Sequence, residues 1–253
     1  MDLGLKGLRA LVTGGSKGIG LRCAEILAAE GAAVSICART GADVDAAVAK
    51  LKADGATAHG TAVDVSNKAA LEDWVAQSAE ALGGIDIVIG NVSALAVADD
   101  EDAWKAGFDT DMMHSVRLVN AAMPWLEKSE AASITLVSSV SGREIDFTGP
   151  AYGAFKAAIV HYAQGLAFKL AAQGIRANTV SPGNTYFDGG IWQNIEANMP
   201  DLYGEALALN PTGRMAKPEE IARGVVFLAS PASSFTTGTN LVIDGALTKG
   251  VQL

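Results

Sequence analysis

Short runs of apolar residues alternate with longer stretches of mixed apolar and polar positions along almost the whole chain. The runs Leu8–Thr13, Ala33–Ala38, Ala58–Val63, Ile85–Gly90, Ser133–Ser138, Ile175–Val180 and Leu241–Ile243 predict strands. Several are continuously apolar, as parallel strands covered on both faces are. Between them Gly18–Ala29, Ala42–Ala53, Ala69–Leu82 and Ala151–Ala172 predict helices. Strand–helix alternation of this kind implies right-handed crossovers. The predicted fold is therefore α/β, a single Rossmann-type doubly wound parallel sheet of about seven strands with helices on both faces. No Pro/Gly/Ser linker and no repeat divides the chain, so residues 1–253 read as one domain.

The interval Pro182–Lys217 breaks the rhythm. It carries Tyr186, Phe187, Trp192, Met199 and Tyr203 among Gly, Asn and Pro residues, and it directly follows a strand. Ligands of open parallel sheets bind beyond the carboxyl ends of the strands, so residues 184–215 are expected to form a substrate lid. Composition supports a packed chain, with 49% hydrophobic and 19% charged residues. A formal charge of −9 argues against nucleic acid and anionic membranes as partners, both of which call for basic surface. No apolar run has the length of a membrane span, and Met1–Thr13 lacks the layout of a signal peptide. Cys23 and Cys37 have no metal-ligand spacing and read as buried, reduced thiols of a cytoplasmic protein.

The first predicted strand runs into Gly14-Gly15-Ser16-Lys17-Gly18-Ile19-Gly20, which opens a helix. Glycine lets backbone approach a pyrophosphate closely, and a helix N-terminus offers free N–H donors with partial positive charge. A glycine cluster alone is weak evidence, but this one stands at the first strand-to-helix turn, where a dinucleotide would lie. The end of the second strand reads Cys37-Ala38-Arg39-Thr40, with no carboxylate to bond an adenosine 2′-hydroxyl. Arg39 can grip a 2′-phosphate, and Lys17 adds a second cation near it. NADP(H) is the cofactor these residues predict.

After the fifth strand come Ser138-Ser139-Val140-Ser141-Gly142 and then Tyr152-Gly153-Ala154-Phe155-Lys156. A spacing of four puts Tyr152 and Lys156 on one helix face. Tyrosine is a poor base at neutral pH, but an adjacent ammonium and a nicotinamide cation favour phenolate, which permits proton exchange with a substrate oxygen.

Taken together, these segments resemble the short-chain dehydrogenase/reductase family over essentially the whole chain, in its larger group with a Thr-Gly-x-x-x-Gly-x-Gly loop, here Thr13–Gly20. The resemblance implies that Asp64-Val65 meets adenine and that Asn178–Gly183 lies along the nicotinamide, with Pro182, Gly183 and Thr185 at the cofactor and Thr185 facing the carboxamide. Asp244-Gly245 after the last strand is also typical. The family serine falls 13 positions before the tyrosine, which makes it Ser139. The implied relay has Tyr152 exchanging the proton, Ser139 bonding the substrate oxygen, and Lys156 favouring the phenolate while holding the nicotinamide ribose. Ser141 is a neighbour expected to touch substrate.

Two departures stand out. The usual Asn-Asn-Ala-Gly after the fourth strand reads Gly90-Asn91-Val92-Ser93, so Asn91 keeps one polar side chain at the cofactor while Ser93 replaces a glycine. The helix asparagine that anchors a relay water is replaced by Asp111, counting forward from Trp104 and back from Pro124. Aspartate brings charge and cannot donate when ionised, and it becomes an ion-pair partner for Lys156. His114, one turn on, reads as an ordinary helix histidine.

The chain is thus expected to be an NADP(H)-dependent oxidoreductase interconverting a hydrophobic ketone and its secondary alcohol. Ser141, Arg143, Glu144, Phe147 and the aromatic residues of Tyr186–Tyr203 are the expected substrate walls. A catalytically impaired sensor or scaffold and a 3-oxoacyl thioester reductase are the alternatives. Enoyl reduction fits less well, because related enoyl reductases separate tyrosine and lysine more widely. The resemblance also implies a homotetramer or homodimer, with Ala157, Ala158, Ala163, Ala167, Ala171 and Ala172 letting helices approach closely.

Overall fold

A computed structural model describes residues 2–251; Met1, at the head of the N-terminal stretch read above, lies outside the described residues. Seven strands form one all-parallel sheet: β1 Arg9–Thr13, β2 Ala33–Ala38, β3 Ala58–Ala62, β4 Ile87–Gly90, β5 Ser133–Val137, β6 Arg176–Pro182 and β7 Asn240–Ile243. Their order is β3-β2-β1-β4-β5-β6-β7, so the winding reverses between β1 and β4. That reversal opens a crevice at the carboxyl ends of these two strands.

Both faces of the sheet are apolar, with period-two alternation dividing each strand between them. Ala10 and Val12 of β1 and Ile87 and Ile89 of β4 join one core layer with α1 (Gly18–Ala29), α2 (Gly41–Ala53) and α9 (Pro218–Ala229). Leu11 and Val88 face the other layer, against α3 (Lys68–Leu82), α5 (His114–Leu126) and α6 (Pro150–Leu170). All of these strand residues are fully buried, and each contributes roughly 1–3 kcal/mol through removal from water. Arg9 ties the amino ends of β1 and β4 together through Asp86 (Nε–Oδ2 2.7 Å).

The helix leading into α5 is irregular. α4 (Glu101–Ala106) passes into a wide π-helical stretch, Gly107–Met113, and only then into α5. Such insertions turn side chains out of the α-helical register and gather at functional sites, and this one carries Asp111 inward to 2% exposure. The predicted lid holds two short helices, α7 (Ile191–Asn198) and α8 (Pro200–Ala208), begun at Gly190 and Pro200. Their core of Trp192, Ile195, Ala206 and Met215, with Tyr186 and Tyr203 packed on it, is separate from the two main layers. Along α6, Ala163 and Ala167 turn into the sheet-facing core and Ala157 is exposed, as are Ala171 and Ala172 just past its end. Among the described residues no helix is long and apolar enough to cross a membrane.

Candidate active site at the strand reversal

The turn after β1 is built for close approach. Gly14 has φ +65°, a conformation that L side chains rarely adopt. A Cβ at Gly20 would strike the Gly14 carbonyl and come within 2.7 Å of Asn91 Nδ2. Gly20 is not among the residues lining the two cavities at this turn; its missing side chain lets Asn91 reach the loop, donating to the carbonyls of Thr13 (3.3 Å) and Gly14 (3.5 Å). Thr13 Oγ1 in turn accepts from Asn91 N at 3.0 Å. The first turn of α1 has no side-chain cap, so its N–H groups are free for an anion, as a pyrophosphate requires.

Two cavities meet at this turn. The first, of about 480 Å³, is lined by Gly14, Ser16, Lys17, Arg39, Thr40, Asp64, Val65 and Asn91. All eight were expected at the cofactor. Asp64 accepts from Ser66 N (3.0 Å) and Oγ (2.7 Å); these bonds, with Arg39 beside it, hold its carboxyl below the usual range. Lys17, expected to be free for a phosphate, instead lies 2.8 Å from Asp43 Oδ2. The second cavity, of about 280 Å³, collects Lys17, Gly18, Ile19, Asn91, Ser139, Tyr152, Lys156, Pro182, Gly183 and Thr185. Phe187 also lines it, its ring set against Gly18, where a Cβ would come within 2.7 Å. The residues therefore fit an extended dinucleotide: a bare helix N-terminus at the middle, cations at one end, and tyrosine and lysine at the other.

α6 begins with Pro150 in its first turn, and one face carries Tyr152 and Lys156. Ser138 is structural: its hydroxyl donates to the Lys156 carbonyl at 2.7 Å and pins α6 to the end of β5. Ser138 and Ser139 both line the cavity with Tyr152, but only Ser139 keeps its hydroxyl clear of the α6 backbone. Its Oγ accepts from Ser141 N and meets Ser141 Oγ, each at 3.2 Å, and Ser141 Oγ donates to Asp146 Oδ2 at 2.5 Å.

Lys156 is 2% exposed, with Nζ 5.5 Å from the Tyr152 ring centroid and 3.3 Å from the Val137 carbonyl. Its other neighbour is Asp111, whose Oδ1 is 3.0 Å from Nζ and which is also 2% exposed. Burial works against the ammonium, but Asp111 and Tyr152 outweigh it and leave Lys156 above its ordinary value. Asp111 Oδ2 accepts from Ala94 N at 3.0 Å, so the same carboxylate anchors the turn after β4. In that turn Leu95 takes φ +50° and faces the substrate side. His114 departs from the reading of an ordinary helix histidine. It is completely buried, its Nε2 lies 3.0 Å from Thr13 Oγ1, and burial pushes it down to about 4, with Lys156 adding to the shift and Asp111 opposing it. Gly90 contributes the room: a side chain there would run into Leu136 and lie close to Leu118 and His114.

Next to Ser139 and Tyr152 lies a third cavity, of about 320 Å³, whose walls include Phe147, Trp192, Ile195, Met199 and Leu202. Ser141 and Phe147 stand where expected, but Arg143 and Glu144 do not; they line an adjoining groove that shares Ser141, Asp146 and Thr148 with this cavity. Tyr186 and Tyr203 are occupied in the lid's own core. Leu95 and Val97 were missed, although two apolar residues after a switch-point strand are a readable signal.

The family model described as Enoyl-(Acyl carrier protein) reductase matches residues 14–248. Isoepoxydon dehydrogenase patN of Aspergillus clavatus is 42% identical over 252 residues, covering 98% of this chain and 97% of that protein. Among solved structures, the NADPH-bound short-chain oxidoreductase of Pseudomonas aeruginosa PAO1, described as containing an atypical catalytic center, superposes with TM-score 0.87 at 30% identity over 96% of this chain and 98% of that one. L-sorbose reductase from Gluconobacter frateurii, complexed with NADPH and L-sorbose, gives TM-score 0.90 at 27% identity, covering 99% and 100%. The chain belongs to the short-chain dehydrogenase/reductase family and is an oxidoreductase.

Proposed function

We propose that the chain is an NADP(H)-dependent oxidoreductase interconverting a hydrophobic ketone and its secondary alcohol. The observation that carries this reading is the position of Ser139 and Tyr152, which line both the cavity at the glycine turn and the apolar cavity beside it. When bound, the nicotinamide supplies or takes up the hydride. In the reduction direction Tyr152 delivers its hydroxyl proton to the substrate oxygen while Ser139 bonds that oxygen. The phenolate left behind is stabilised by Lys156, whose charge cannot escape to solvent from its buried position. Asp111 acts as a positioning residue: it holds Lys156 in place and charged. Arg39 and Lys17 receive the 2′-phosphate, a reading supported by the NADPH-bound structural relatives. The apolar walls suit a medium-sized hydrophobic carbonyl compound.

A panel of cyclic, aryl and β-keto ester ketones followed by NADPH absorbance tests the reading. Turnover on at least one hydrophobic ketone is expected, with kcat falling roughly 10²–10⁴-fold in Tyr152→Phe. A wild-type rate matched by that variant sinks the catalytic role of Tyr152, and cofactor binding with no turnover across the panel favours a sensor.

A further inference from the structure

Asp43 has no part in the proposed use of the adenosine cavity, yet it lines that cavity. It sits in the first turn of α2, facing Lys17, Arg39 and Thr40, with its Oδ2 2.8 Å from Lys17 Nζ. The cavity's other acid, Asp64, is engaged by both Ser66 donors. β2 itself ends in Ala38, so no carboxylate stands at the strand end. The structure therefore presents two cations and, within ion-pair distance of one of them, a carboxylate one turn farther along the chain.

We propose that Asp43 is a specificity-determining residue that restrains the preference for a 2′-phosphate and helps the cavity admit the unphosphorylated cofactor as well. A phosphate arriving at Lys17 competes with the carboxylate for that ammonium and is repelled by its charge. A ribose hydroxyl meets no such repulsion and can donate to a carboxylate. The pair is open to solvent, with 56% of the Lys17 side chain and 31% of Asp43 exposed, so it exchanges readily. Asp43 thereby supplies, from a helix, part of the discrimination that a strand-end acid supplies elsewhere. This inference rests on the assignment of Lys17 and Arg39 to the 2′-phosphate.

Calorimetric binding of adenosine 2′,5′-bisphosphate and of 5′-AMP tests it without turnover. The ratio of the two affinities is expected to rise roughly three- to tenfold in favour of the bisphosphate in Asp43→Asn, and the gain to shrink in high salt. Asp45→Asn removes the same charge from an exposed position of the same helix outside the cavity, and the ratio is expected to stay within about twofold. An unchanged or lower ratio in Asp43→Asn, or an equal rise in Asp45→Asn, overturns the proposal. Arg39→Ala judges the phosphate assignment separately: an unchanged ratio in Arg39→Ala sinks that assignment and the inference with it, while a lower ratio there beside an unchanged one in Asp43→Asn overturns the role of Asp43 alone.

Discussion

Two carboxylate–cation pairs flank the central strands, one at each end of the sheet, and they are wired differently. At the amino end every oxygen of Asp86 is taken: Oδ2 by Arg9 N and Nε (2.8 and 2.7 Å), Oδ1 by Arg9 Nη2 (2.7 Å) and Ser129 Oγ (2.6 Å). Burial would raise its carboxyl, but these bonds win and hold it low. At the carboxyl end Lys156 and Asp111 are both 2% exposed, a deeper burial than that of Arg9, yet Asp111 Oδ1 has no hydrogen bond beyond the ion-pair contact, and Lys156 faces a tyrosine and an open cavity. A buried charge is costly unless all its bonds are made. The saturated pair fixes two strands, whereas the unsaturated pair keeps a charge available beside Tyr152, where the proposed reaction calls for a phenolate.

Substitutions should separate the two pairs by readout. The largest expected effect is that of Lys156→Ala, which removes the cation beside Tyr152: kcat should fall roughly 10³-fold, measured by NADPH absorbance with the best ketone of the panel. Asp86→Ala should do the opposite. It leaves Arg9 unpaired at a partly buried site and should cost roughly 2–4 kcal/mol in urea unfolding, with kcat per folded molecule unchanged. If Asp86→Ala instead lowered kcat while sparing stability, the division between architecture and chemistry would collapse.

Asp111→Asn probes the unsaturated pair more gently. Its amide oxygen can still accept from Ala94 N, but the negative charge beside Lys156 is gone. The ammonium then acts on Tyr152 without compensation, and Lys156 itself loses what held it above its ordinary value. Both changes have the same sign, so both limbs of the kcat/KM–pH profile should move to lower pH, by about one unit. An unmoved profile removes Asp111 from the relay.

The contrast between the pairs was only half legible in the sequence. Ile87–Gly90 and Ser133–Val137 are buried throughout, so their apolar runs announce strands and their ends fall within two residues of the reading. The glycine loop and the Tyr152–Lys156 spacing are local patterns, and local geometry carries them intact. The π-helical stretch at Gly107–Met113 left no such mark, because one wide turn does not alter a hydrophobic period that is already short. Without it Asp111 could be matched to the relay by counting but not shown to be buried. The walls of the apolar cavity failed for a related reason: Arg143 and Glu144 are near Ser139 in sequence but line the adjoining groove, while Leu95 and Val97 arrive from a different strand end. Asp43 stands one turn beyond the strand end, inside α2, where no local pattern ties a helix carboxylate to the cavity.

His114 gives the smallest and most specific test of the buried network. It packs among Asp111, Lys156 and Thr13, and burial lowers it from 6.5 to about 4. The unfolded chain therefore binds more protons than the native one between these two values. Stability from keeping this ring neutral is fully present above about pH 6.5 and is lost progressively as pH falls toward about 4. Between about pH 7 and pH 6 the loss should be about 0.7 kcal/mol. His114→Asn keeps a polar side chain without a titrating ring, so subtracting its urea-unfolding curve from that of the wild type cancels the carboxylates common to both. A difference that stays flat over this interval would mean that the ring is protonated equally in both states and that its burial does not keep it neutral.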